Sequence, residues 1–329
     1  MDDLNWLVPT LVMIVGTGIW LRLYFRYGRE PVPANPPDRL SEPPYEWTPV
    51  QLGLLWNQGR LGLRDMVASL IDLVRRGVLE LQVEPVSVLE LGGLAGVSEE
   101  YECFVQRARG KEREATRAER YLIEEIIFRY AGGTESASLR EAMVEGARDH
   151  RAACGRVARW GEIAGEEPTP FPFVDPVSER MSARGTALGA AMLASYFLLG
   201  ALFPSLMIFV LVAVAGILTA ESGVIRRRSP EGAEALSRWQ AFRRHLAEVS
   251  LLSDAPPHSV AVWERYLVYA ISLGVAGRVV DGFRLLHPTP ANIRASAGLY
   301  SSVFSLGGDP FSRAFVSLAV KSRPADGGR

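Results

Sequence analysis

The sequence predicts a mainly α-helical membrane protein: an N-terminal transmembrane helix, winged-helix-like cytoplasmic α+β units, a transmembrane hairpin and a C-terminal helical pair. Three observations predict this class. An uncharged stretch near the N-terminus is long enough to cross a bilayer. A second apolar stretch, residues 186–219, is long enough for two spans. Between them, helical periodicity gives way to strand-like alternation, which is the outline of a winged helix.

Composition excludes some functions and leaves others open. The 329 residues include 36 basic and 37 acidic side chains, and this net charge of -1 does not favour a polyanionic partner. The two cysteines, Cys103 and Cys154, form neither a disulfide framework nor a zinc-binding pattern. Both fall in segments that we expect to be cytosolic, where thiols stay reduced.

Residues 5–27 are predicted to form transmembrane helix 1. Residues 6–21 carry no charge, and Arg22 and Arg26 follow where long side chains can reach the lipid headgroups. The alternative is a cleaved signal peptide. The acidic start of the chain and the absence of a small-residue cleavage site disfavour that alternative.

The second apolar stretch is predicted to be a transmembrane hairpin over residues 186–219. Pro204-Ser205 is the natural break, which leaves halves at 186–203 and 205–219. The second half is short for a full span, so a hairpin that stops before the far side stays open. Small residues would let two helices approach closely: Gly185, Gly189, Ala190, Ala194, Gly200 and Ala201.

Arginine clusters predict the topology. They follow the first span, precede the hairpin and follow it, so one side of the membrane can hold all three. Because arginine concentrates on the cytoplasmic side, we expect a multi-pass plasma-membrane protein with its N-terminus outside and its C-terminus in the cytoplasm. Topology explains these clusters, and contact with anionic lipid is the second explanation. The candidate lipid contacts are Arg22, Arg26, Arg184, Arg226, Arg227 and Arg228.

Residues 28–48 form a Pro-rich linker, and residues 49–92 are predicted to form a winged-helix-like unit. Residues 65–75 have the i, i+3, i+4 spacing of an amphipathic helix, which Gly77 ends as a C-cap. Residues 78–83 alternate as a strand, and residues 86–91 are predicted to pair back on it.

Residues 93–175 are predicted to repeat this outline as a second helical, winged-helix-like unit. Residues 118–130 show a helical apolar face, and residues 139–160 predict a longer helix with a break. The sequence Arg159-Trp160-Gly161 echoes Arg75-Arg76-Gly77. The charge run at 107–120 is expected to be a solvated face.

A cytoplasmic helical pair is predicted at residues 229–287. Ser229-Pro230 is typical of an N-cap followed by proline at the first helical position. That helix is expected to run to residue 249 and a second one from 260 to 286, and a short loop makes the two pack antiparallel. Residues 288–329 are a Ser/Gly-rich tail.

These segments resemble the DUF2207 family of predicted bacterial membrane proteins over roughly residues 5–290. The resemblance is carried by Gly59-Arg60 before 65–79 and by residues 227–233, 239–246 and 263–276. The specific blocks are Pro230-Glu231-Gly232-Ala233 and the run from Glu264-Arg265-Tyr266-Leu267 to Val275. The resemblance implies a bacterial plasma-membrane location. Family members usually carry an extracytoplasmic β-rich domain before the first span, so the chain is expected to be the C-terminal part of such a protein. The family has no established biochemical role, so the resemblance leaves function open.

No pattern in the sequence predicts catalysis. Neither lysine lies in a phosphate-binding loop, and the histidines His150, His245, His258 and His287 are scattered without ligand spacing. We therefore expect no enzyme, no cofactor, no metal and no small-molecule ligand.

Three hypotheses remain for function. The first is a membrane-anchored, non-enzymatic scaffold or accessory protein that contacts the bilayer and a cytoplasmic protein partner, with Arg64, Arg75 and Arg76 as candidate partner contacts. The second is a membrane-tethered winged-helix regulator that reads DNA through the same arginines. The first unit has no basic excess, which a phosphate-binding face needs, so nucleic acid is disfavoured. The third is an accessory subunit of a transport system, which the uncharged hairpin disfavours.

Overall fold

The computed structural model is mainly helical and contains a small three-stranded sheet. It describes residues 2–89, 97–108, 110–111, 114–129, 136–202, 207–248, 260–276 and 278–279. The predicted Pro204-Ser205 break, the histidines His258 and His287, and the tail at 288–329 lie outside the described residues. The chain divides into two compact units. Unit 1 comprises Met1–Pro36 with Thr169–Ser237, and unit 2 comprises Pro37–Pro168 with Arg238–Arg329.

Unit 1 contains three predominantly apolar helices and the start of a fourth helix, which is more polar. They are α1 (Asp2–Leu23), which continues as a π-helical turn at Tyr24–Gly28, α7 (Pro176–Leu202), α8 (Met207–Ala220), which continues as a 3-10 turn at Glu221–Ile225, and the start of α9 (Pro230–Ala247). The remaining elements belong to unit 2. They are α2 (Pro49–Trp56), α3 (Leu63–Arg75), β1 (Leu79–Leu89), β2 (Val97–Arg107), α4 (Arg117–Tyr121) with a π-helical continuation at Leu122–Phe128, β3 (Ser136–Ser138), α5 (Leu139–Arg148), α6 (His150–Gly165) and α10 (Val260–Ser272).

In unit 1, α1, α7 and α8 pack on one another around an apolar core. Its buried members are Met192, Tyr196, Leu211 and Ala215. A Cβ atom at Gly189 would lie 3.0 Å from the backbone of Thr219, so α7 and α8 approach closely only because this residue is glycine. The predicted small-residue contact is confirmed at this position.

The outer surface of these helices is also apolar. Large apolar side chains are exposed at Leu7, Val8, Leu11, Ile14, Val15, Ile19, Phe197, Leu198, Phe209, Val210 and Ile217. Among the described residues, one helix is long and apolar enough to cross a membrane: Leu7–Gly28, with 22 residues and a mean hydropathy of 1.6. The apolar stretch Phe209–Ile225 is shorter. A candidate N-terminal span is thus confirmed, and the double crossing of 186–219 stays a prediction.

In unit 2, α3 is the central helix. It begins two residues before the predicted start and ends where predicted, because Gly77 has a φ of +71° that breaks the helical path. Helices α2 and α10 both pack on it. Residues 68–73 and Asp65 are buried, and Arg64 and Arg75 are exposed. Little of this helix is therefore open to solvent.

The hairpin that follows α3 corrects the prediction. Strand β1 does not turn at residues 84–85; it runs straight through Pro85 to Leu89 and pairs antiparallel with β2, Leu79 opposite Arg107 and Leu89 opposite Val97. Proline is tolerated here because β1 is the outer strand in the order β1-β2-β3. The hairpin therefore crosses the boundary predicted between residues 92 and 93.

The second predicted winged-helix-like segment takes a different form. Strand β3 joins β2 at Phe104–Gln106, so it completes the first sheet. The predicted break in the long helix is confirmed at Asp149, whose carboxylate accepts a hydrogen bond from the Ala152 amide. The predicted echo of Gly77 at Gly161 is wrong. Helix α6 continues to Gly165, because Gly161 keeps a negative φ.

Aromatic side chains connect the two C-terminal helices. Trp239 contacts Tyr269, and Phe242 contacts Tyr266. The antiparallel packing of the two helices stays a prediction. The Ser229 hydroxyl caps α9 by accepting a hydrogen bond from the Gly232 amide at 2.9 Å. Helix α10 ends at Ser272, earlier than predicted, because Gly274 adopts a φ of +73°.

Candidate interaction surfaces

An aromatic cluster joins α9 and α10. Trp239 lies 4.9 Å from Tyr269 and 6.0 Å from Phe242, measured between ring centroids. Trp47 of the Pro-rich linker lies 6.0 Å from Trp239 and extends the cluster. Trp239 and Phe242 are fully buried, so this is the apolar centre of unit 2.

The linker is bound to this cluster along residues 37–48, which we call the strap. The hydroxyl of Tyr266 donates to the carbonyl of Ser41 at 2.5 Å, and the hydroxyl of Tyr269 donates to the carbonyl of Trp47 at 3.0 Å. Arg244 donates to the carbonyl of Asp38 at 2.9 Å. Burial raises the pKa of Tyr269 to about 12, so its hydroxyl keeps its proton and stays a donor at neutral pH.

The strap corrects the expectation of a plain extended spacer. It has no helix or strand, as its prolines predict. Side chains of α9 and α10 nevertheless bind its backbone carbonyls at several points, including Pro37, Asp38 and Ser41. Prolines leave carbonyls free to accept such bonds, because an extended segment makes none internally.

The predicted partner contacts Arg75 and Arg76 are engaged inside unit 2. Both donate to the carboxylate of Asp72, at 2.8 and 2.9 Å. Arg76 also pairs with the buried Glu119 and donates to the carbonyl of Glu114. These bonds tie the end of α3 to the start of α4.

Electrostatics favours the charged form of Arg76. Burial alone would lower the pKa of its guanidinium, but the bonds to Glu119 and Asp72 outweigh burial and raise that pKa. The third candidate, Arg64, is exposed, and its guanidinium lies beside Gly274, 2.7 Å from where a Cβ atom would stand. Arg64 therefore lies apart from the Asp72 cluster that binds Arg75 and Arg76.

Sequence reasoning missed Asp65, at the start of α3. Its carboxylate accepts hydrogen bonds from the Gly62 amide at 2.9 Å and from the Asn57 side chain at 3.2 Å. Burial raises its pKa to about 6, although these bonds and the charge of Arg64 act in the opposite direction. Asp65 stands three positions after the N-cap Gly62, which is the spacing of a capping box. That spacing is the sequence signal that could have identified Asp65.

The predicted lipid contacts fall into two groups. Three consecutive arginines after α8 each bind an acidic partner within unit 1: Arg226 binds Glu179 at 2.6 Å, Arg227 binds Asp175 at 2.8 Å, and Arg228 binds Glu30 at 2.9 Å. Although partial burial raises it, the pKa of Asp175 ends lower than usual, because hydrogen bonds from Arg227 and nearby amides prevail.

The other three predicted lipid contacts lie on the surface of unit 1. Arg22, Arg26 and Arg184 are exposed. Arg26 lies over the ring of Tyr27 at 5.7 Å, and Arg184 contacts the sulfur of Met181 at 3.6 Å. Arg180, on the same helix as Arg184, is exposed as well.

Comparison with protein families finds one similarity, which covers α7 to α10. Residues 177–283 match the model described as "Predicted membrane protein (DUF2207) C-terminal domain". This segment is therefore similar to the DUF2207 C-terminal domain. Within the described residues, the matched segment contains most of α7, then α8, α9 and α10.

The matched segment combines two kinds of surface. It includes the exposed apolar side chains of α7 and α8 and the buried aromatic cluster of α9 and α10. The resemblance over the preceding residues, 5–176, stays a prediction. No curated protein and no solved structure matches the chain.

Proposed function

We propose that this protein is a membrane-anchored, non-enzymatic scaffold that presents a protein-binding unit at the cytoplasmic face. The observation that carries the proposal is the long β1–β2 hairpin. Each of its strands has 11 residues, yet β3 pairs only with Phe104–Gln106 of β2. Within the part of the chain that the structure describes, the outer edge of β1 has no strand neighbour.

An open strand edge favours a protein partner. Its unpaired N–H and C=O groups are a template on which an extended peptide can add as a further strand. Main-chain hydrogen bonds then supply affinity. The hairpin is also acidic, with Glu80, Glu84, Glu99, Glu100 and Glu102 against Arg107.

The same observations disfavour the membrane-tethered DNA-binding regulator. A recognition helix must present side chains to the major groove, whereas α2 and α10 cover α3. Arg75 and Arg76, the residues assigned to phosphates, are paired with acidic side chains. An acidic hairpin would also be repelled by phosphates.

A transport accessory role has less support. Charged side chains inside a membrane mark substrate pathways, and residues 185–220 contain none. The membrane anchoring itself rests on the DUF2207 match and on the apolar helix Leu7–Gly28.

Site-specific photo-crosslinking in native membranes tests the scaffold. A photoreactive residue at Ser87 of β1 should capture a discrete protein, and the same residue at the exposed Arg151 of α6 is the control. The captured protein should co-purify with the unmodified chain and be lost in Val88→Pro, which removes a backbone donor from β1. Equal capture at both positions, or retention by Val88→Pro, would contradict the proposal.

A further inference from the structure

Unit 1 has an excess of exposed positive charge at one end of its apolar helices. Arg226, Arg227 and Arg228 are neutralised by Glu179, Asp175 and Glu30. Five exposed arginines of unit 1 form no ion pair with an acidic side chain among the described residues. Arg29, which follows the first apolar helix, lies over the ring of Phe25. The other four are Arg22 and Arg26 of the first apolar helix and Arg180 and Arg184 of α7, and we call them the arginine belt.

Three of the belt residues, Arg22, Arg180 and Arg184, lie at one level because their helices meet at Ser222, and Arg26 follows Arg22 by about one helical turn. The indole of Trp20 donates to the Ser222 hydroxyl at 3.2 Å, and the Ser182 hydroxyl donates to the Ser222 carbonyl at 2.8 Å. Arg22 follows Trp20 by two residues, and Arg180 and Arg184 flank Ser182. At about 1.5 Å of rise per residue, these three arginines stand within about 3 Å of their anchor along the helix axis.

The belt has little acidic compensation nearby. Glu221, next to Ser222, is the exposed acidic side chain at this level that forms no ion pair among the described residues. Four positive charges thus face one negative charge. Glu179, Asp175 and Glu30 are already paired with Arg226, Arg227 and Arg228. If one of these carboxylates moved to a belt arginine, it would leave its present partner unpaired, so the excess of positive charge would remain.

Exposed apolar side chains border the belt directly. Ile19, Leu21 and Phe25 of the first helix and Val224 after α8 are all exposed. A surface that changes from apolar to cationic within a few residues matches the boundary between hydrocarbon and headgroups in a bilayer. Arginine forks also suit phosphate oxygens, to which they can donate two parallel hydrogen bonds.

We propose that the arginine belt binds the phosphate-bearing headgroups of anionic phospholipids. This inference rests on the membrane anchoring in the proposed function. It keeps Arg22, Arg26 and Arg184 from the predicted lipid contacts and adds Arg180. It assigns Arg226, Arg227 and Arg228 to internal ion pairs.

The test uses the full chain reconstituted in phosphatidylcholine vesicles. Trace spin-labelled phosphatidylglycerol or phosphatidylcholine reports how strongly each lipid associates with the protein. We expect a preference for phosphatidylglycerol of about threefold or more that weakens as salt is raised. The combined Arg22→Gln, Arg26→Gln, Arg180→Gln and Arg184→Gln variant should lose it, and the matched Arg151→Gln control should keep it.

Further arms separate the possible failures. Lysine at all four positions should keep most of the preference, because the positive charge remains. If the four-residue variant fails to fold, two two-residue variants replace it in the test. Arg22→Gln with Arg26→Gln and Arg180→Gln with Arg184→Gln should each lose part of the preference for phosphatidylglycerol. An unchanged preference in all glutamine variants would overturn the belt.

Inorganic phosphate, added at constant ionic strength, distinguishes a lipid headgroup from a free phosphate. Full displacement of the labelled lipid by phosphate would overturn the lipid assignment. Flotation of the vesicles checks anchoring separately. A chain that floats without lipid preference contradicts the belt alone, and a chain that does not float contradicts the anchoring.

Discussion

The helices of unit 1 and those of unit 2 both bury apolar side chains, but unit 1 exposes apolar side chains where unit 2 exposes charged ones. Around α1, α7 and α8, side chains that face away from the core include Leu11, Ile14 and Phe197. On α9 within unit 2, the exposed positions include Arg243 and Arg244. An apolar exterior is costly in water and favourable in lipid. The contrast shows that the two sets of helices differ in their exterior more than in their core.

The largest effect should come from the core of unit 2. Trp239→Ala removes a fully buried indole from the aromatic cluster and should lower the free energy of unfolding by about 3–5 kcal/mol. Phe197→Ala on α7 is the matched control, because its ring is 70% exposed, and it should change little in detergent. Thermal unfolding of both purified variants measures the difference. Similar losses would break the comparison.

A charge placed on each exterior sharpens the comparison. Ile14→Lys in the middle of α1 should cost about 3 kcal/mol of membrane insertion, because a lysine there must leave water. Val144→Lys on α5 of unit 2 should cost almost nothing, since Val144 is already exposed to water. The fraction resistant to alkaline extraction from membranes is the measurement. Full insertion of Ile14→Lys would argue against α1 as a span.

A buried charge in unit 2 predicts a pH dependence. Because burial raises the pKa of Asp65 from 3.8 to about 6, the folded state binds its proton more tightly than the unfolded state. The contribution to stability is therefore full below pH 4 and is lost as the pH rises to about 6, by about 2–3 kcal/mol.

Asp65→Asn tests this dependence, because asparagine keeps an acceptor for Gly62 and cannot ionise. The variant should lack that slope between pH 4 and 6 when denaturant unfolding is compared with the unmodified chain. Glu179→Gln is the control, since the Glu179 side chain is 54% exposed. An identical slope in Asp65→Asn and the unmodified chain would show that Asp65 is not the group responsible.

The smallest effect concerns the strap. Tyr269→Phe removes the hydroxyl that donates to the Trp47 carbonyl and should destabilise unit 2 by about 1 kcal/mol. Limited proteolysis should then cut residues 37–48 faster. Tyr121→Phe is the control, because the Tyr121 hydroxyl donates no hydrogen bond to the described residues. Unchanged cleavage in Tyr269→Phe would mean that ring packing alone holds the strap.

Local features of the fold were predictable from the sequence. Helix α3, its end at Gly77 and the Ser229 cap of α9 were all predicted from neighbouring residues, because periodicity and capping act within one or two helical turns. The apolar first helix was predictable for the same reason. The family resemblance over residues 177–283 also came from contiguous blocks.

The tertiary structure alone decided which distant groups meet. Pro85 signals a turn locally, yet β1 continues because a better partner, β2, lies further along the chain. In the sequence, Arg226, Arg227 and Arg228 resemble the arginines of the belt. In the structure, they form ion pairs with acidic residues up to 198 positions away. The sequence by itself determined where charge and apolar surface lie along the chain. Folding decided which charges are neutralised and which remain exposed, because ion pairs and strand pairs depend on distance in space and not on separation in sequence.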